Sequence, residues 1–134
     1  HYAATRAAKT GGGVEVLAII TPQDQTHWLG VAEKMREEAR ETIEENFQIY
    51  SNWMKDELKL KAELVIREGE KATEVPNQIS EDKEVGVLVL GANNSSEGPG
   101  PLISQLVSRD GGNLPIPVTI VPGSMTKERI EAVS

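Results

Sequence analysis

Hydrophobic positions along the chain fall into two kinds of pattern. Val14 to Ile20 (VEVLAII) and Val85 to Leu90 (VGVLVL) are nearly continuous apolar runs rich in β-branched residues. Such runs suit strands buried on both faces, as in a parallel sheet. Ala62 to Arg67 (AELVIR) and Pro117 to Val121 (PVTIV) carry shorter strand signals. From about Leu29 to Leu58 the period changes. Val31, Met35, Ala39, Ile43, Phe47, Tyr50, Met54 and Leu58 recur at helical spacing and form one apolar stripe. Between them Glu33, Glu37, Glu38, Glu41, Glu44 and Glu45 alternate with Lys34, Arg36 and Arg40, which reads as a solvated helix face. Phe47, Tyr50 and Trp53 are expected in the core, with a face for a partner helix as the lesser reading.

Turn residues separate these segments. His1 to Lys9 reads as the end of a helix, stopped by Thr10 and the triplet Gly11-Gly12-Gly13. Thr21-Pro22-Gln23-Asp24-Gln25 breaks the first strand, and Gly69 ends the second. A helix is expected from Ala72 to Asp82, with Pro76 near its first turn, where proline is tolerated. The loop Gly91 to Gly100 (GANNSSEGPG) precedes a short helix from Pro101 to about Ser108, and Thr126 to Val133 suits a weak final helix. Helices and buried strands alternate, which predicts an α/β domain with a parallel sheet and right-handed crossovers. No internal repeat or linker interrupts the pattern, so residues 1–134 are read as a single domain.

Composition narrows the function. The chain has 134 residues, a formal charge of −7 and no cysteine. Disulfides, thiolate metal sites and cysteine nucleophiles are thereby excluded. The acidic balance argues against nucleic-acid binding, which needs a basic surface. No apolar run approaches the roughly 20 residues that cross a bilayer, so no membrane partner is expected. The N-terminus lacks a basic-then-apolar signal pattern, and the expected location is the cytoplasm.

The loop after Leu90 is the most informative stretch. In open α/β sheets ligands sit beyond the carboxyl ends of strands. Gly91, Gly98 and Gly100 permit tight turns and close approach, Asn93, Asn94, Ser95 and Ser96 offer neutral donors, and the next helix points its N-terminal amides into the loop mouth. These features suit a phosphate, although the Walker pattern with its lysine is absent. His27 beside Trp28 has no recognisable partner and reads as a loop histidine. Asp24 and Glu97 are isolated acids, and neither a G-x-S-x-G elbow nor an H-x-x-x-H pair is present.

The order of these segments resembles the universal stress protein family. Ala3 to Gly12 followed by Val14 to Ile20 is similar to that family's first helix and second strand. Glu70 to Gly91 is similar to the helix, strand and glycine before its nucleotide loop, and Pro117-Val118-Thr119-Ile120-Val121-Pro122 to its last strand. The resemblance implies a three-layer sandwich with a five-stranded parallel sheet in the order 3-2-1-4-5, of the adenine nucleotide α-hydrolase-like kind. It places the family's first strand, with an acidic residue that contacts adenine, ahead of His1. That strand is absent from this chain, and a longer native polypeptide is therefore expected.

The family's ATP-binding pattern G-x2-G-x9-G-[ST] aligns Gly91 with its first glycine but puts Asn94, Ser104 and Gln105 at the other three positions. The motif is degenerate, and Asn93 stands where an arginine is often found. The resemblance implies a stress-response binding and regulatory module that takes ATP or AMP with Mg²⁺. Ile20 and Leu90 would border the base, and Gly91, Asn93, Asn94, Gly98, Gly100, Ser104 and Gln105 the phosphates. At most slow ATP hydrolysis is expected, since no base or arginine finger is visible. The alternative is a member without nucleotide that forms a homodimer through Val118, Thr119, Ile120 and Val121 and contacts a protein partner. A more distant reading is an adenylating enzyme, whose S-G-G phosphate loop would follow the first strand.

Overall fold

The computed structural model describes residues 1–21, 29–92, 100–110 and 114–134. The chain runs α1 (Tyr2–Thr10), β1 (Val14–Ile20), α2 (Leu29–Leu58), β2 (Ala62–Glu68), α3 (Lys71–Glu81), β3 (Leu88–Ala92), α4 (Pro101–Gln105), a π-helical turn (Leu106–Asp110), β4 (Val118–Pro122) and α5 (Lys127–Val133). The alternation is the one the pattern predicts. The described strands form two parallel pairs, β1 with β2 and β3 with β4, rather than one continuous sheet.

α1 ends because Gly11 turns left-handed at φ 76° and the Gly12 amide donates back to the Ala7 carbonyl at 3.0 Å. That closure is a Schellman cap, which a residue with a Cβ resists. β1 then pairs with β2 in register from Val14 opposite Ala62 to Ile20 opposite Glu68. Alternation divides the two strands between helices. Leu17 and Ile19 face α3, as does Glu15, whose carboxylate accepts from the Gln78 amide at 3.0 Å. Val14 and Ala62 face the other way, onto a cluster of Ala4, Ala7, Met54 and Leu60 from α1 and the end of α2. A second cluster of Val75, Ile79 and Leu106 gathers Leu17 and Ile19 from β1, Leu88 and Leu90 from β3, and Leu102, Leu114 and Ile116. Helices thus cover both sides of the β1–β2 pair, and the cluster around α3 and α4 covers one side of β3.

Four expectations are corrected. β1 and β3 are not buried strands: every β1 residue is half-buried, and Gly91 of β3 is exposed. Each strand is hydrogen-bonded on one edge alone among the described residues, so neither gains the shelter of an interior position. β3 begins at Leu88 rather than Val85, because Asp82 organises a turn. Its side chain accepts from the Glu84 amide at 3.0 Å and its carbonyl from the Val85 amide at 3.4 Å. Pro76 lies inside α3, past its first turn, where buried Val75 and Ile79 flank it and hold the helix on the sheets. The α2 stripe is buried at one end only: Met54 is buried, Ala39, Ile43, Phe47, Trp53 and Leu58 are half-buried, and Met35 and Tyr50 are exposed. Tyr50 at 62% exposure is no core residue. Val31 is outside the described side chains.

The tail orders against α1. The Thr126 hydroxyl caps α5 by accepting from the Arg129 amide at 3.2 Å. Lys9 Nζ donates to the Glu131 carbonyl at 3.0 Å, and Arg6 to the Ser134 carbonyl at 3.3 Å.

Candidate functional site

The carboxyl ends of β1 and β3 lie on either side of the second cluster, with the start of α4 beside them. Ile19 of β1, Leu90 of β3 and Leu102 of α4 all pack against it. The Ile20 carbonyl accepts from the Gly69 amide at 3.0 Å, which ties the end of β1 to the turn after β2. Gly69 holds φ 144°, and a Cβ there would stand 2.8 Å from Glu74 Cγ, so a glycine is required.

The proposed ligand residues divide into three sets. Asn93, Asn94 and Gly98 lie outside the described residues, as do His27, Trp28, Asp24, Ser95, Ser96 and Glu97. Ile20 and Leu90 flank the expected base position but face opposite sides of their strands, since Leu90 joins the α3 and α4 cluster with Ile19 rather than Ile20. Ile19 is the residue that shares a surface with Leu90. Gly91 belongs to β3, paired with Val121, rather than to the loop, and among the described residues nothing lies within 4 Å of where its Cβ would stand.

Gly100 caps α4 at φ 113° and ψ 156°, a conformation that only glycine adopts readily, and Pro101 occupies the first helical position. Ser104 and Gln105 are exposed on α4. The Ser104 amide donates to the Gly100 carbonyl at 3.2 Å, so it closes the first helical turn and is not free for a phosphate. α4 continues into the π-helical turn, where Leu106 is buried to 1%.

Cations stand on the β2 flank, and those of α2 lie on the solvated helix face that the charge run indicates. Arg36 and Arg40, one turn apart on α2, reach Glu68 at 3.5 and 4.0 Å. On the opposite face Arg67 donates to Glu74 at 2.8 Å, to Gln78 at 2.9 Å and to Glu81 at 2.7 Å. These bonds hold the Arg67 guanidinium firmly charged and push the Glu81 carboxyl below its usual range. Arg67 is committed to α3, whereas Arg36 and Arg40 are exposed and joined to one shared carboxylate. Their spacing at i and i+4 was visible in the sequence. Their acceptor was not, because Glu68 lies in a different element. Among the described residues no group of three or more His, Asp or Glu side chains is arranged to hold a metal ion. No helix among them is long and apolar enough to cross a membrane.

No protein-family model matches the chain. No curated protein matches it either. Among solved structures the fold resembles the universal stress protein UspA from Lactobacillus plantarum, with a TM-score of 0.74 at 13% identity over 89% of this chain and 83% of that one. At that identity the likeness is one of fold.

Proposed function

We propose that the chain is a universal stress protein-like regulatory module that takes adenine nucleotide where β1 and β3 end and α4 begins. The observation that carries this reading is the juncture itself. Gly100 adopts a glycine-only conformation at the mouth of α4, and no described residue stands within 4 Å of where a Cβ of Gly91 would lie. The pairs β2-β1 and β3-β4 correspond to the two ends of the order 3-2-1-4-5 with its centre left out, and the fold likeness supports the same assignment. The base would lie against Ile19 and Leu90. The phosphates would lie over Gly91 and Gly100, with Asn93, Asn94 and Gly98 supplied by the intervening loop. Mg²⁺ would offset the phosphate charge, because Ser104 and Gln105 offer no cation. The module acts as a binder or switch rather than as an efficient hydrolase.

A second reading is favoured by the departures at Ser104 and Gln105. In it the same fold binds no nucleotide and works as a homodimer with a protein partner. The supporting feature is an apolar groove of about 310 Å³ between β3, β4, α4 and the π-helical turn, lined by Leu90, Ile103, Val107 and Ile120 among others.

Calorimetric titration with ATP and Mg²⁺ separates the two, with AMP and the Gly91→Val variant as controls. Binding near 1 μM, about 8 kcal/mol, that weakens at least tenfold in a variant of unchanged thermal midpoint supports the nucleotide site. Absence of heat and of thermal shift at millimolar ATP and AMP supports the second reading.

A further inference from the structure

At the amino end of the β1–β2 pair, away from the juncture where β1 and β3 end, three lysines line one hollow. α2 finishes at Leu58 and β2 starts at Ala62. A hollow of about 460 Å³ lies there, bordered by Ser51, Lys55, Lys59, Lys61 and Ala62. Ser51 and Lys55 lie one turn apart on one face of α2, about 6 Å along its axis. Leu60 is buried in the first cluster, while Lys59 and Lys61 on either side of it are exposed. The Lys61 carbonyl lies 3.7 Å from where a Cβ of Gly13 would stand, so the glycine turn after α1 backs the entry into β2.

The state of these side chains suits an anion. At φ 56°, Lys59 is the one residue other than glycine with a positive φ among the described residues. It follows the last residue of α2, where glycine is usual, and the Leu60 amide closes onto the Met54 carbonyl at 3.0 Å. Glycine would serve that turn better, so what a lysine adds there is its side chain. The Lys59 ammonium donates to the Asp56 carbonyl at 3.1 Å, which fixes its place and uses one of its three N–H donors. Among the described residues no carboxylate forms an ion pair with Lys55, Lys59 or Lys61. The helix dipole accounts for a cation at the end of α2, but it amounts to about half a charge, against three full charges here.

Size and surroundings choose the ligand. A hollow of this volume takes a small molecule. A broad anionic surface would also meet the exposed carboxylates of Asp56, Glu57 and Glu63, on a chain of net charge −7. A compact anion reaches the lysines alone. To engage all three ammonium groups it must carry several charges close together. Phosphoryl oxygens do so, and they also accept from the Ser51 hydroxyl.

We propose that this hollow binds a compact anion bearing two or more phosphoryl groups, held by Lys55, Lys59 and Lys61 with the Ser51 hydroxyl as a neutral donor. The site is separate from the nucleotide juncture and does not depend on it.

The test titrates the chain with tripolyphosphate and with a hexose bisphosphate, at low salt and without Mg²⁺. The first probe is a bare phosphate chain, and the second carries its phosphoryl groups on a carbon skeleton, so their ranking tells which source fits. Amide chemical shifts are followed at Ser51–Ala62 and at Leu88–Ala92. Saturable shifts at Ser51–Ala62 are expected with at least one probe, and the affinity should fall severalfold as salt rises to the physiological range. Lys59→Gly suits the left-handed backbone, so its thermal midpoint should hold or rise while affinity falls about threefold. Lys55→Gln and Lys61→Gln should each weaken binding by a similar factor, and the three changes together by roughly thirtyfold. Four outcomes overturn the proposal. Neither probe could shift Ser51–Ala62 at millimolar concentration. Sodium chloride at equal ionic strength could give the same shifts, so that the lysines sense screening alone. The shifts could fall at Leu88–Ala92 only, so that the anion lodges at the juncture. Lys59→Gly could leave the affinity unchanged, so that this lysine serves the helix end and no ligand.

Discussion

The two parallel pairs share a plan and differ at their outer edges. β2 presents Glu63, Arg67 and Glu68, and two of these are anchored: Arg67 to Glu74, Gln78 and Glu81, and Glu68 to Arg36 and Arg40. β4 presents Val118, Thr119, Ile120 and Val121, with Ile120 41% exposed, and ends at Pro122. An edge guarded by fixed charge resists further pairing, whereas an apolar edge invites it until proline removes a donor. The β2 edge thus carries the charges that disfavour pairing, whereas Val118–Pro122 carries none. The cores differ as well. One face of the β1–β2 pair rests partly on the flexible side chain of Met54, while β1 and β3 together border the cluster of Leu106, the most completely buried of the described core residues.

The largest test of this contrast is truncation of the two cores. Leu106→Ala is expected to lower stability by about 3–5 kcal/mol, because the π-helical turn and both clustered strands lose a shared neighbour. Met54→Ala is expected to cost less, about 2–3 kcal/mol, since α1 and the end of α2 can close toward the space. Urea unfolding midpoints compare them directly. Equal losses would mean that the two halves are packed alike.

Much of this division was legible in the sequence. The apolar runs and the long stripe identified the strands and the long helix, because period and residue choice reflect which faces must be covered, whereas the π-helical turn that takes over from α4 after Gln105 was not expected. Gly11 and Thr126 marked their helix ends for local reasons of backbone and capping. What remained hidden depended on contacts between distant segments. The late start of β3 arose from the Asp82 turn, and the half-burial of β1 from pairing on one side only. Arg36 and Arg40 lie on the solvated face that the charge run indicates, and only their shared acceptor, Glu68, needed the fold to be seen. The site was less legible than the fold. Ser104 could be aligned to a phosphate position, but the helix that takes its amide was visible only in three dimensions.

Glycine substitutions sharpen the comparison at a smaller scale. Gly69→Ala forces a Cβ into Glu74 at a φ of 144°, and relief requires Glu74 to leave Arg67. A loss of about 1–3 kcal/mol is expected, together with a looser guard on the β2 edge. Gly91→Ala meets no described residue within 4 Å, and a change within about 0.5 kcal/mol is expected. Thermal or urea unfolding of the two variants decides the matter, and a costly Gly91→Ala would reveal a neighbour on the open side of β3. If β4 pairs with its copy, Ile120→Lys brings two like charges together across the two-fold axis. The dimer dissociation constant, read by sedimentation, is then expected to rise about tenfold, or 1.4 kcal/mol. Its insensitivity would move any dimer contact away from this edge.

The smallest effect separates the two kinds of charge around α3. Glu15 holds its proton more tightly in the folded chain, chiefly through burial and then through Asp82. As pH falls from neutrality toward 4.5, the ordinary value for this carboxyl, the folded state takes up a proton before the unfolded state does, and stability rises. Glu81 behaves oppositely, because Arg67 favours its ionised form. Its contribution is complete above the same ordinary value of 4.5 and is lost as pH falls below it. The unfolding midpoint should therefore pass through a maximum on the acid side of neutrality. Glu15→Gln should flatten the rise between neutrality and that maximum. Glu81→Gln should soften the fall beyond it, because the bond to Arg67 is already weakened at every pH. A profile that the Glu15 variant leaves unchanged would show that the carboxyl at the foot of β1 is solvated in the folded chain, and that the acidic end of the pair is no different from its charged outer edge.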